Sequence, residues 1–314
     1  MKNNPRDELP KPDNNFKYKI IKGFLWSQIF LPLNLYLKKQ VDVFFSPAHY
    51  TPRFCPIPMV VTIHDLSYFY YPEEFLKKDF YQLKNWTKYS VKKARKIIAV
   101  SQTTKNDLIK FYQAPKEKIE VIYNGYNNSQ KLNSDVILKD IPKLYFLYVG
   151  TLQPRKNLNT LLDAFCFLLK ERQAYRLIIV GKKGWLWQDI FAKVADLKLN
   201  NKVIFMGYLT DNELSFLYKN ASIFILPSFY EGFGIPILEA MSFNCPVIAS
   251  NASSLPEIGG DACLYFNPKN PQELKVKIIE LLTNQVLRDE LVKKGQNRVK
   301  LFSWQRCGEE TLKT

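Results

Sequence analysis

From Leu144 onward the chain alternates short apolar runs with amphipathic helical patterns, and this alternation admits few folds. The runs are residues 145–149, 176–180, 202–205, 223–226, 247–249 and 263–266. Helical periodicity predicts helices at 158–171, 188–195, 211–219 and 235–243 in most of the gaps, then at 271–283 and 287–299. Strands that alternate with helices predict a parallel, doubly wound α/β sheet, because a parallel pair needs a crossover between its strands. Right-handed crossovers gather the turns Gly150-Thr151, Gly181-Lys182-Lys183, Gly207-Tyr208 and Ser228-Phe229 along one sheet edge. Ligands of open α/β sheets bind at that edge.

The earlier part of the chain also reads as α/β. Strands are expected at 41–45, 59–63, 96–100 and 120–123, with helices at about 75–95 and 103–111. Residues 124–140 are polar and turn-rich, a hinge between two domains. The expected division is 1–140, 141–302 and a C-terminal segment 303–314 that packs back on the first domain. At 314 residues, each main domain is long enough to bury a core.

Composition narrows the chemistry. Cys55, Cys166, Cys245, Cys263 and Cys307 lack C-x-x-C spacing, which argues against a disulfide framework and a zinc site. With His49 and His64 the only histidines and no D-x-D cluster, no metal and no cofactor are expected. The apolar stretch 20–37 is interrupted by Lys22, Ser27, Gln28 and Asn34, so neither a signal peptide nor a membrane span is expected, and the protein is read as cytoplasmic. Net charge is +16, and residues 1–140 hold 23 Lys and Arg against 13 Asp and Glu. Lys77, Lys84, Lys88, Lys92 and Arg95 fall within about 80° of one another at helical period. Such a stripe suits an anionic membrane surface at about 1 kcal/mol per cation, or is simply a solvated helix face. Nucleic acid is not an expected partner.

Two carboxylates carry the most specific signal. Glu231 and Glu239 lie eight residues apart in Tyr230-Glu231-Gly232-Phe233-Gly234-Ile235-Pro236-Ile237-Leu238-Glu239, a glycine-bracketed loop that opens a helix after the apolar run 223–226. Eight residues is about 2.2 helical turns, which returns Glu239 to the face of the loop. A carboxylate there can accept from a vicinal ribose diol, and Glu231 can accept from sugar hydroxyls. The glycines allow close backbone approach, and a helix start favours an anion. Arg155 and Lys156, between another strand and its helix, can clamp a diphosphate. His64 and Asp65 end the run 59–63, as contacts to an acceptor hydroxyl or the donor sugar, or as a structural His beside a capping Asp. Ser101 reads as an N-cap.

These residues resemble the retaining GT-B glycosyltransferases of family 4, in particular bacterial mannosyl- and rhamnosyl-type enzymes of surface polysaccharide synthesis. The resemblance rests on YVGTLQPRKNL at 148–158, IIVGKKGWLW at 178–187, VIFMGYLTDNEL at 203–214, PSFYEGFGIPILEAM at 227–241 and PVIASNASSLPEIGGDACLYFNP at 246–268. VTIHDLSYFYYP at 61–72 and KKARKIIAVSQTTKNDL at 92–108 extend it into the first domain. It implies two facing Rossmann-like domains, a nucleotide-sugar donor, no metal, and a saccharide or lipid-linked acceptor met at the cytoplasmic face of the membrane. By motif, Glu231 contacts the donor sugar and Glu239 the ribose. Arg155 and Lys156 hold the diphosphate; Gly150, Thr151, Gly232, Phe233, Gly234 and Ile235 line the donor; and His64 lies near the reacting centre. Two departures stand out. Thr151 occupies a position where many relatives carry Arg, and residues 1–19 contain nothing like the glycine-rich opening loop of the family. The first domain is therefore expected to be incomplete, and the alternative reading is a poorly active nucleotide-sugar-binding protein or a subunit completed by a partner.

Overall fold

The computed structural model describes residues 11–23, 25–37, 41–127, 138 and 140–314. The first unit runs α1 (Phe30–Leu37), β1 (Phe44–Ser46), β2 (Met59–Ile63), α2 (Lys77–Lys93), β3 (Lys96–Ala99), α3 (Gln102–Tyr112) and β4 (Ile119–Val121). Its sheet is parallel throughout, in the order β1-β2-β3-β4. All five residues of β2 are buried, as its unbroken apolar sequence requires of a strand covered on both faces. One face packs Val61, Ile63, Ile97 and Ala99 against Val91 of α2 and Leu108 of α3. On the other, Val60, Ile98 and Ile122 meet Cys307 of the last helix, α11 (Trp304–Lys313). That helix ends beside the first sheet, where Thr314 Oγ1 donates to Glu120 Oε2 at 3.0 Å.

Local differences from the expected elements have identifiable causes. The first strand begins at Phe44, not at residue 41, because pairing with β2 starts at Phe44↔Met59 and leaves Val41 and Val43 exposed. Helix α1 falls in a stretch for which no helix is expected. Two 3-10 turns, Ser67–Phe69 and Pro72–Glu74, precede α2 and move its start to Lys77. Of the expected hinge, residues 128–137 and 139 lie outside the described residues.

The second unit contains β5 (Tyr145–Val149), α4 (Leu158–Leu169), β6 (Arg176–Val180), α5 (Gln188–Asp196), β7 (Val203–Gly207), α6 (Asp211–Asn220), β8 (Ile223–Leu226), α7 (Ile235–Ser242), β9 (Val247–Ser250), α8 (Leu255–Gly259), β10 (Cys263–Phe266), α9 (Pro271–Thr283) and α10 (Gln285–Arg298). Six parallel strands stand in the order β10-β9-β8-β5-β6-β7. The chain therefore winds outward in one direction from β5 and in the other from β8. Between these adjacent strands the topology switches, and the loops at their carboxyl ends diverge to leave a crevice. The two units are a GT-B-like pair of Rossmann-like α/β domains, as the family resemblance implies.

Candidate active site

The crevice is bounded by the loop after β5, residues 150–157, and the loop after β8, residues 227–234. A 3-10 turn at Pro154–Lys156 places Arg155 and Lys156 side by side, and Asn157 follows in the left-handed region at φ 57°. Its buried side-chain amide donates to the Pro227 carbonyl at 2.9 Å and the Pro268 carbonyl at 2.7 Å. Phe229 N–H donates to the Arg155 carbonyl at 2.9 Å, and Arg155 Nη1 to the Tyr230 carbonyl at 2.6 Å. The two loops are thus stitched into one floor. Gly234, at φ 113°, makes the left-handed turn into α7, where Pro236 sits in the first turn, whose N–H groups need no helical partner.

Glu231 is the charged centre of this floor. Lys156 Nζ contacts both carboxylate oxygens, at 2.6 and 2.7 Å, and Ser228 Oγ donates to Oε1 at 2.7 Å. Arg155 Nη1 lies 3.9 Å from Oε2. Burial opposes the charge of Glu231, but Lys156 and Arg155 outweigh it and hold the carboxyl below its ordinary range. The loop backbone is fixed as firmly: Ser253 Oγ accepts from Glu231 N–H at 2.8 Å, and Ser254 Oγ reaches the Glu231 and Phe233 carbonyls at 2.9 and 2.8 Å.

The first unit supplies the opposite wall. Gly232 rests on the His64 backbone so closely that an added Cβ would lie 2.0 Å from the His64 carbonyl oxygen. Ser101 caps α3 as expected, accepting from Thr104 N–H, and also donates to the Gly232 carbonyl at 2.7 Å. The imidazole of His64 is 2.7 Å from the Pro47 carbonyl through Nε2. Asp65 Oδ1 accepts from Ser67 N–H and Oγ, a contact to the start of the 3-10 turn from one residue before its cap, Leu66, which carries no side-chain cap. Burial opposes the charge of Asp65, yet the Arg155 cation across the crevice leads the interactions that keep it ionised below the usual range. Glu74 lies 3.9 Å from Arg155 Nε; burial raises its carboxyl and Arg155 opposes the rise. Glu74, Asp107, which accepts from Tyr230 O–H, and Glu257, which accepts from Gln102 N–H at 2.7 Å, escape the sequence reading. Each is a single acid whose partner lies far along the chain.

Glu239 has a different setting. Its Oε2 accepts from Tyr218 O–H at 2.9 Å in a small pocket lined by Asn127, Asp211, Leu214, Ser215 and Phe243. Burial raises its carboxyl, and Tyr218 only partly offsets this. Among the described residues it shares no ion pair or hydrogen bond with Arg155, Lys156 or Glu231. The structure therefore brings Arg155, Lys156, Glu231 and Gly232 together against the backbone of His64, whose ring turns toward Pro47, and sets Glu239 apart in a neighbouring pocket. Phe233 faces the core, against Tyr123 and Phe302. Ile235 opens α7 half-buried, and Thr151 is exposed after Gly150, whose N–H is held by the Val180 carbonyl. Lys77, Lys84, Lys88 and Lys92 are exposed on α2, whereas Arg95, also exposed, lies beyond the end of the helix at Lys93, after an extended Ala94, and does not continue the expected helical stripe. Among the described residues, no group of three or more His, Cys, Asp or Glu is arranged to hold a metal, and no helix is long and apolar enough to cross a membrane.

The family profile described as Glycosyl transferases group 1 matches residues 129–298, and that described as Glycosyltransferase Family 4 matches residues 7–130. The chain is 33% identical over 288 residues to the O-antigen chain mannosyltransferase B of Escherichia coli, covering 86% of this chain and 73% of the relative. It is 33% identical over 286 residues to the O-antigen chain mannosyltransferase RfbU of Salmonella typhimurium, covering 88% and 76%. The Anabaena protein HepE, solved with UDP and glucose, superposes with a TM-score of 0.70 at 20% identity, covering 90% of this chain and 79% of HepE.

Proposed function

Because the chain belongs to the Glycosyl transferases group 1 family, as a glycosyltransferase of polysaccharide biosynthesis that uses a nucleotide sugar, we propose that it transfers a mannose-like hexose or deoxyhexose to a saccharide or lipid-linked saccharide with retention. The observation that carries this reading is the meeting of Arg155, Lys156 and Glu231 at the switch between β5 and β8. Two fixed cations beside a helix start suit a diphosphate, whose negative charge grows as the glycosyl bond breaks. Each well-placed donor at such a charge contributes about 3 kcal/mol. Glu231, ionised and anchored, accepts from donor-sugar hydroxyls, and Glu239 from the ribose diol. His64 borders the reacting centre. The acceptor attacks on the face from which the diphosphate leaves, and the leaving phosphate oxygen takes its proton, so no side-chain base is required.

A nucleotide-sugar screen by thermal stabilisation tests the donor assignment. The true donor at 100 times its Kd should add about 2.7 kcal/mol of stability. Absence of stabilisation by every UDP-, GDP- and dTDP-sugar contradicts it.

We also propose that the acceptor is met at a membrane surface through α2. Its exposed cations stand near exposed Phe54, Leu76 and Tyr81, a mixture suited to anionic headgroups and the acyl boundary. Co-sedimentation with phosphatidylglycerol vesicles should weaken when Lys84 and Lys88 are replaced by alanine, by about 2 kcal/mol in total. Equal binding of the variant and the parent contradicts the assignment.

A further inference from the structure

A surface helix buries its apolar stripe against a neighbouring element. The last helix, α11, does so only in part. Trp304, Cys307, Gly308, Thr311 and Leu312 recur at i, i+3, i+4, i+7 and i+8 and so share one helical face, which borders a cavity of about 420 Å³ over the first sheet. Cys307 meets Val60, Ile98 and Ile122, whereas Trp304 remains 50% and Leu312 89% exposed. The cavity has the volume of a small-molecule site and opens to solvent beside these two side chains.

Its floor is the sheet face opposite α2 and α3, formed by Phe45, Thr62, Ile98 and Ile122. The strands are parallel, so their carboxyl ends share the edge that meets the crevice. There His64, Pro47 and Asn124 line the cavity, and Gly232 of the candidate active site rests on the His64 backbone. The polar end is therefore at the crevice. From Trp304, whose backbone packs on Gly125, α11 runs back along the sheet until Thr314 reaches Glu120. Trp304 to Leu312 covers about 12 Å at helical rise. The cavity is a trough, polar at the crevice, largely apolar along the helix and open at Leu312. Gly308 sets its width: glycine is a weak helix former, yet it stands mid-helix, and among the described residues no atom lies within 4 Å of a Cβ built on it.

We propose that this trough binds the hydrocarbon chain of a lipid-linked acceptor, whose saccharide head then stands in the crevice beside His64. A ligand that is polar at one end and apolar along its length matches the trough's own order of groups. The class of the head rests on the glycosyltransferase reading. The binding of the chain rests on α11 and the first sheet, whichever nucleotide the donor carries.

The probes are n-alkyl mannosides and glucosides from methyl to decyl, with the geranyl glycosides beside them, titrated calorimetrically into the full chain at submicellar concentration. Each methylene that enters the trough should tighten binding about fourfold, with the gain ending once the chain passes Leu312. Octyl against geranyl tells an acyl-type chain from an isoprenoid one, and tight binding of either supports the proposal. Gly308→Leu fills the trough from the helix side and replaces a weak helix former, so it should melt no lower than the parent while binding octyl glycoside at least about tenfold more weakly. No gain with chain length in the parent overturns the proposal, as does parent-like octyl binding in folded Gly308→Leu. Thermal stabilisation by UDP-, GDP- and dTDP-sugars is read on the same samples. Its absence counts against the donor reading, while the chain-length series still decides the role of the trough.

Discussion

The floor around Glu231 and the pocket around Glu239 hold two glutamates from one loop-helix segment, both withdrawn from water, yet their carboxyls are driven in opposite directions. Glu231 has Lys156 and Arg155 beside it and stays ionised below the ordinary range; Glu239 has Tyr218 beside it, and burial raises it. The difference teaches that sequence spacing sets where a carboxylate points, whereas its charge is decided by partners brought from elsewhere in the fold. Glu231 is built into a cationic floor joined to both units. Glu239 lies in a small pocket where, among the described residues, Tyr218 is its one hydrogen-bond donor, the setting proposed above for a ribose diol.

Removing the cation from the floor should have the largest effect. Lys156→Met leaves Glu231 buried without its main counter-charge, and breaking such a pair typically costs about 3–5 kcal/mol. Equilibrium urea unfolding should show this loss, and an unchanged midpoint would place Glu231 in a far wetter setting than described. Gly232→Ala comes next. Its methyl group would collide with the His64 carbonyl, and the loop must move away or the two units must part, at about 1–3 kcal/mol for overpacking. Thermal unfolding should register that loss, with reduced transfer even at temperatures where the variant is folded.

Changes in the Glu239 pocket should be milder. Tyr218→Phe removes one hydrogen bond, a loss of about 1 kcal/mol, and should move the Glu239 carboxyl further upward when followed by ¹³C NMR. The smallest effect is expected from Glu239→Gln, and its sign is opposite. A carboxyl raised in the folded state lowers stability once pH passes its unfolded value of about 4.3, because the unfolded chain then releases the proton more readily. Glu239→Gln should therefore melt above the parent at neutral pH, with the gap closing below that value. Glu231 has the reverse sign: its ionised form adds stability above the unfolded pKa, and this is lost as pH falls through its lower folded value. Glu231→Gln should melt below the parent at neutral pH. Equal pH profiles for the two variants would remove the contrast between the sites.

Much of the second unit was legible because parallel strands covered on both faces must be continuous apolar runs. The expected strands 145–149, 176–180, 223–226 and 263–266 coincide with β5, β6, β8 and β10. The first unit was less so: β1 has three residues, its upstream valines are exposed, and its register is fixed by pairing to β2. In the site, Arg155, Lys156 and Glu231 could be read from loops that follow strands, since topology alone brings such loops together. The pairing of Lys156 with Glu231 spans 75 residues, and that of Tyr230 with Asp107 spans 123. No local pattern encodes contacts of that range. Helical spacing returned Glu239 toward the loop in projection but could not reveal Tyr218, which arrives from α6 and gives Glu239 its own pocket.

The most direct test measures nucleotide-sugar affinity and single-turnover transfer in Glu231→Ala and Glu239→Ala side by side, using the donor found by thermal screening. The account predicts that Glu231→Ala loses transfer by about 10²–10³-fold while donor affinity changes little, and that Glu239→Ala chiefly weakens donor affinity. Parent-like transfer in both variants, or the same balance of affinity and turnover loss in each, would contradict it.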